Sequence, residues 1–322
     1  MLRTLPVLLA LMLLFTACGN GDASAPPPGD GQAPDQPGKS GVQPISVDPG
    51  ADTSSAPPPP PPPPADPQQV FKQTVERKRR SVDPEERMGA IEMVLEGSEK
   101  EFGGEVLVKL LTDESEDVRA LAAEAMGMGK FSGGITALKN TFSTDSDPLV
   151  RTKCLKSLTE LAGKRAVPDL IRALAGDDEG NVRAQAASLL GATGSNLGVD
   201  PLITALSEDF SEAVRVAALS SLQILKPARC VNAVIEALED RNDSVRSDAA
   251  KTLGILKNKK AVRPLMDALD AEEEGRILFQ ITDALSLLTG EDNEYAVDLS
   301  AEDQEEALQI WRDWWEENKG EY

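Results

Sequence analysis

"DESEDVRALAAEAMG", residues 113–127, reads locally as an acidic turn running into a helix. Its Val118-Arg119 pair returns as Val150-Arg151, Val182-Arg183, Val214-Arg215 and Val245-Arg246. Arginines stand at 87, 119, 151, 183, 215, 246 and 276, at intervals of 32, 32, 32, 32, 31 and 30. Six residues before each of the last six stands an aspartate: Asp113, Asp145, Asp177, Asp209, Asp240 and Asp270. Ser81 takes that place in the first unit, and Gly275 replaces the valine in the last. A period of this length marks a repeat architecture, in which each repeat is one supersecondary unit that cannot bury its apolar face alone.

Each unit reads as two short helices. "AVPDLIRAL" (166–174), "GVDPLITAL" (198–206) and "AVRPLMDAL" (261–269) open first helices, with Pro168, Pro201 and Pro264 in the first turn, where no amide donor is needed. An acidic turn follows, and the second helix starts near the Val-Arg pair. Gly127, Gly191, Gly254 and Gly290 are expected to end these second helices. Counting from each arginine, the third position is Ala90, Ala122, Cys154, Ala186, Ala218, Ala249 and Phe279. The seventh is Val94, Met126, Leu158, Leu190, Leu222, Leu253 and Asp283. At helical spacing these positions share one face and form a buried stripe.

The pattern Asp…Val-Arg…Ala…Leu-Gly…Pro-Leu-Ile…Ala-Leu resembles the HEAT-like repeats of the phycobilisome-lyase type over roughly residues 67–290. The resemblance implies an all-α chain: a right-handed α-solenoid of about seven HEAT-like helix pairs, each touching only its neighbours. Arg119, Arg151, Arg183, Arg215, Arg246 and Arg276 are expected to form a structural ladder of charge-assisted hydrogen bonds with the six aspartates, within or between turns.

Outside the repeats, three segments differ in composition. Residues 1–17 carry Arg3 and an apolar run from Leu5 to Phe15, too short to span a bilayer and suited to an export signal. "LFTACGN" then resembles the lipobox of bacterial lipoproteins and marks Cys18 for lipidation, although Phe15 departs from the usual small aliphatic residue. Gly19, in place of the aspartate of inner-membrane retention, implies a lipid-anchored protein of the bacterial cell envelope, at the outer membrane. Cleavage after Ala23-Ser24-Ala25, giving a soluble periplasmic or secreted protein, is the alternative. Residues 18–66, with eight prolines at Pro57–Pro64, cannot bury enough apolar surface to offset ordering entropy and read as a disordered Pro-rich tether. Residues 291–322 hold all three tryptophans and read as a loop and a helix capping the stack, opened by a Ser300–Asp303 capping box.

Composition removes several functions. The chain has 322 residues and no histidine, which excludes a Ser-His-Asp triad and a His-ligated metal. The iron-dependent hydroxylases built on similar repeats hold their metal with His-Glu motifs, so that branch is excluded too. A net charge of −21 argues against nucleic-acid binding. Cys154 and Cys230 lie more than two units apart and are expected to be free, buried thiols. No cofactor, metal or small-molecule substrate is expected.

Two surfaces remain as sites. One is the acidic edge of inter-helix turns: Asp113, Glu114, Glu116 and Asp117; Asp177, Asp178 and Glu179; Glu272, Glu273 and Glu274. The other is the face of the second helices opposite the buried stripe, which in solenoids of this type lines the concave side. In the central units it reads Gln185, Ser188 and Ala192; Ala217, Ser220 and Ile224; Asp248, Lys251 and Ile255. This low-charge stripe is expected to take a protein or peptide partner, making the chain a non-catalytic scaffold. The competing readings are a passive envelope spacer and a lyase-type enzyme subunit.

Overall fold

The computed structural model describes residues 66–291 and 295–322; the signal segment, Cys18 and nearly all of the tether lie outside the described residues. Among the described residues, fourteen α-helices form seven antiparallel pairs. They are α1 (Pro67–Arg79) with α2 (Pro84–Glu96), α3 (Lys100–Leu110) with α4 (Glu116–Met128), and α5 (Ile135–Thr144) with α6 (Pro148–Ala162). Then come α7 (Val167–Gly176) with α8 (Gly180–Thr193), and α9 (Val199–Glu208) with α10 (Glu212–Leu225). The last pairs are α11 (Val231–Glu236) with α12 (Asp243–Leu256), and α13 (Val262–Ala271) with α14 (Gly275–Thr289). A fifteenth helix, α15 (Ala301–Asn318), follows. The folded unit is an α-solenoid: second helices pack on second helices along the stack, as α8 does on α10 and α12 on α14.

The buried stripe falls where helical periodicity requires. Ala90, Ala122, Cys154, Ala186, Ala218 and Ala249 are fully buried, as are Met126, Leu158, Leu190, Leu222 and Leu253. Small residues at the third position let each helix approach its neighbours; the larger side chains one and two turns away fill the space between units. Cys154 and Cys230 are both buried and unbridged. Burial pushes the Cys154 thiol up to about 12, with the Asp145 charge adding to it.

The last unit departs from its expected register. Phe279 and Asp283, assigned to the buried stripe, are exposed, whereas Ile277, Ile281, Thr282 and Leu285 are buried. The unit therefore keeps a spacing of 32 from Arg246, and Leu278, not Arg276, occupies the arginine slot. Arg276 is a near coincidence in spacing, and its side chain is exposed.

Three glycines expected to terminate second helices do not. Gly127, Gly191 and Gly254 lie inside α4, α8 and α12. A Cβ on Gly191 would stand 2.5 Å from Ser221 Oγ and 2.9 Å from Ser221 Cα. One on Gly254 would stand 3.0 Å from Ala284 Cα, and one on Gly127 would meet Ser157 Oγ at 2.6 Å. Ser157 and Ser221 use the closeness: their hydroxyls donate to Ala123 O at 2.7 Å and Ala187 O at 2.8 Å across the helix interface. The second helices thus approach most closely in dyads: α4 with α6, α8 with α10, α12 with α14. Helix termination is left to the following residues, Gly194 (φ 63°) and Gly290 (φ 85°), and to Lys226 (φ 48°) and Lys257 (φ 53°).

At the C-terminal end Ser300 Oγ accepts from the Asp303 amide at 3.1 Å and opens α15. This helix packs on α13, burying Ala307, Leu308 and Trp311. Arg263 lies 5.0 Å from the Trp315 ring, and Arg312 bonds Asp270 at 3.0 Å.

Candidate functional site

Along the edge formed by the inter-helix turns, arginine and carboxylate alternate in a continuous chain of hydrogen bonds. Arg119 Nε and Nη2 donate to Asp145 at 2.7 and 3.0 Å. Arg151 does the same to Asp177 at 2.8 and 2.7 Å, Arg183 to Asp209 at 2.7 and 2.9 Å, and Arg215 to Asp240 at 2.7 and 2.8 Å. In each case the arginine belongs to one unit and the aspartate to the next. The remaining Nη1 of each guanidinium turns back onto its own turn, as Arg151 Nη1 donates to Asp145 O at 3.1 Å and Ser146 O at 3.0 Å. Each aspartate also accepts an amide two residues on, as Asp177 Oδ1 does from Glu179 at 3.0 Å. One side chain therefore fixes its own turn and the position of the next.

The ends of the ladder differ from the sequence expectation. Asp113 pairs with Arg87, through Nη2 alone at 2.8 Å, and Arg87 Nε has no partner. Arg246 pairs with Glu272 at 2.8 and 3.3 Å, not with Asp270. The reason is the register of the last unit: Glu272 is 32 residues after Asp240, the spacing of a rung, while Asp270 holds α15 through Arg312. Arg276 has no rung to form, because Leu278 occupies the arginine slot of its unit and the Arg276 side chain is exposed.

Electrostatics follow from this geometry. Burial alone would raise Asp145, Asp177, Asp209, Asp240 and Glu272. The arginine hydrogen bonds, the amide donors and the guanidinium charges together outweigh it, and all five carboxyls sit below their ordinary range. The carboxylate hydrogen bonds hold Arg119, Arg151, Arg183 and Arg246 above theirs. These groups satisfy one another, and Asp177, Arg183 and Asp209 also form part of the wall of a cleft between first helices.

The second-helix face is different. Ser188 and Ala192 on α8, Ser220 and Ile224 on α10, and Lys251 on α12 are exposed; Gln185, Ala217, Asp248 and Ile255 are half-buried. All nine stand on helices packed side by side, and in the corrected register Gln280, Asp283 and Leu287 of α14 extend the same three rows. One row is apolar over four units: Ala192, Ile224, Ile255 and Leu287, with Ile224 63% and Leu287 48% exposed. Burial raises the Asp248 carboxyl, opposed by the Lys251 and Arg276 charges. Toward the N-terminal end the face is charged, with Lys153 pairing Glu124 at 2.8 Å.

A further feature lay beyond the sequence reading. Between α7 and α9 a cleft of about 760 Å³ is lined by Ile171, Leu174, Pro201 and Ala205 and by the rung residues Asp177, Arg183 and Asp209, with Phe210 at its rim. Only Phe210, a lone aromatic in an otherwise polar turn, could have signalled it. Among the described residues no group of three or more Cys, Asp or Glu is placed to hold a metal ion, and no helix is long and apolar enough to cross a membrane.

No curated protein sequence matches the chain. Among solved structures it resembles YibA of Escherichia coli at 17% identity, over 70% of this chain and 97% of that one, with a TM-score of 0.44. The complex of CpcE and CpcF of phycocyanin lyase from Nostoc sp. PCC7120 is similar at 19% identity, over 75% and 94%, with a TM-score of 0.40. Kap121p matches at 12% identity over 76% of this chain and 31% of its own length, with a TM-score of 0.48. The profile of HEAT repeats matches residues 104–191 and 199–286, more than half of the sequence. The chain belongs to the HEAT-repeat family.

Proposed function

We propose that this protein is a non-catalytic scaffold of the bacterial envelope, lipid-anchored at Cys18, that binds a protein or peptide segment along the second helices. One observation carries the reading: the apolar row Ala192–Ile224–Ile255–Leu287, flanked by the serines Ser188 and Ser220, is continuous across four units and left uncovered. A peptide laid along it meets apolar side chains at each successive unit, and polar hydroxyls beside them supply adaptable hydrogen bonds. The ladder keeps the units in fixed register, so the row is presented as a preorganised surface, which lowers the ordering cost of binding.

The test uses the full chain as bait against solubilised envelope from the cell that makes it. A second bait carries Ser188→Arg, Ser220→Arg and Ile224→Glu, all at exposed positions. The proposal expects a protein retained by the first bait and lost from the second. Identical retention on both would move the function to the cleft or to a spacer role. Labelling with a radioactive fatty acid checks the anchor: incorporation should vanish in Cys18→Ser.

A further inference from the structure

The antiparallel pairs place all inter-helix turns on one edge and all inter-unit loops on the other. The turns 81–83, 111–115, 145–147, 177–179, 209–211, 240–242 and 272–274 hold thirteen acids and one base. From the second unit on, the loops 129–134, 163–166, 194–198, 226–230 and 257–261 hold eight bases and no acid. Those eight, Lys130, Lys164, Arg165, Lys226, Arg229, Lys257, Lys259 and Lys260, are all exposed. Among the described residues only Arg229 makes an ion pair, with Asp200. On a chain of net charge −21, seven of these eight loop cations therefore stand without an ion pair among the described residues, Lys259 lying 5.2 Å from the Tyr322 ring.

Helix electrostatics favour only the three lysines that follow second helices, Lys130, Lys226 and Lys257, and leave the other five cations unexplained. Cations suit the C-terminal end of a helix and are disfavoured at the N-terminal end. Lys164, Arg165, Arg229, Lys259 and Lys260 occupy the 3-10 turns that lead into α7, α11 and α13, the unfavourable end. Lys130, Lys226 and Lys257 follow second helices with φ of 56°, 48° and 53°, where two sister units use Gly163 and Gly194. A lysine there is strained where glycine is not. Two large apolar side chains stand exposed among these cations, Leu197 at 72% and Met128 at 64%.

We infer that this loop edge docks on an anionic lipid surface. Cations interspersed with exposed apolar side chains are what such a surface recognises: charge attracts, and the apolar groups enter the headgroup boundary. The acidic edge does not cancel the attraction. A second helix of fourteen residues, such as α8, separates the edges by about 21 Å. That exceeds twice the Debye length of about 8 Å at physiological salt. The inference stands apart from the peptide-binding face and from lipidation at Cys18. It adds an orientation, with the loop edge on the membrane and the second-helix face free.

The test is partition of the full chain carrying Cys18→Ser onto vesicles of phosphatidylcholine alone or with 30% phosphatidylglycerol, by co-sedimentation across a salt series. The apolar run at Leu5–Phe15 contributes equally to both vesicle types, and Arg3 with the N-terminal amine favours the anionic one in parent and variants alike, so the ratio of variant to parent is the readout. Each Lys or Arg held at an anionic surface raises partition by about fivefold, so Lys130→Gly, Lys226→Gly and Lys257→Gly together should lower it by about a hundredfold. These substitutions relax the backbone, so loss of fold does not mimic loss of binding. The control is Arg77→Gln, Arg80→Gln and Lys156→Gln, exposed cations off this edge, and should leave partition within threefold. Equal partition onto both vesicle types, or a triple glycine variant within threefold of its parent, overturns the inference. Retention on immobilised polyglutamate without partition onto anionic vesicles would also overturn it and assign the edge to an acidic protein.

Discussion

Asp177→Asn isolates one rung of the ladder. The substitution keeps the shape and leaves an oxygen for the Glu179 amide, but it turns an amide donor toward the Arg151 guanidinium and removes the charge. The 2.8 Å bond from Arg151 Nε to Oδ2 is lost, and the 2.7 Å bond from Nη2, to the same oxygen that takes the Glu179 amide, loses its charge assistance, between side chains only 13% and 7% exposed. An exposed ion pair is worth about 0–1 kcal/mol, whereas removing one partner of a buried pair costs about 3–5. This rung lies nearer the buried limit, and Arg151 keeps its two carbonyl partners, so a loss of about 3 kcal/mol is expected. For a fold of this size that lowers Tm by about 6–12 °C. Denaturant unfolding followed by circular dichroism measures the loss, and hydrogen exchange should place it between the third and fourth units. Adding Arg151→Met should recover at least about 1.5 kcal/mol of the additive sum, because the stranded cation is gone. A loss below about 0.5 kcal/mol, or an additive double variant, would refute the claim that the rungs fix unit on unit.

Three further outcomes follow from the same geometry. The rung carboxyls lie below their ordinary values in the folded state, so the unfolded chain binds their protons first as pH falls. Their stabilisation is full above the unfolded value of about 4 and is lost as pH drops further through the folded values; a stability plateau from pH 8 to 5, then a decline flattened in Asp177→Asn, is expected. Gly191→Leu should cost about 1–3 kcal/mol by forcing α8 off α10, whereas Lys226→Gly should leave stability equal or raise it by up to about 1; denaturant midpoints compare the two. In the Cys18→Ser chain both remaining thiols should resist a disulfide reagent at pH 8 until the protein is unfolded, since at about 12 the Cys154 group is thiolate in only about one molecule in ten thousand. Reaction of the folded chain at the rate of a free thiol would contradict the packing described.

The Val-Arg period was enough to place the helix pairs and the buried stripe, because a repeat forces equivalent residues into equivalent surroundings. It did not say what each residue touches. Arg151 reaches an aspartate 26 residues ahead, and that contact belongs to the interface between units. The arginine count also misled at the end: Arg276 continues the series by eye, but the apolar residues Ile277, Ile281 and Leu285 set the helix rotation, and burial outweighs one charge. Gly127, Gly191 and Gly254 recur every 64 and 63 residues, and Ser157 and Ser221 are also 64 apart. That doubled period was legible and is the signal of the dyads. The cleft between α7 and α9 was not, since it depends on helix separation, which no single unit encodes.

The most direct test of the scaffold reading is site-specific photocrosslinking in the cell that makes the protein. A photoreactive amino acid is placed at Ser188, Ser220 or Ile224 on the second-helix face, and at the exposed Thr204 of α9 as reference. The account predicts a discrete adduct of the same added mass from the three face positions and none from Thr204. Adducts from Thr204 alone, or none from any face position, would contradict it.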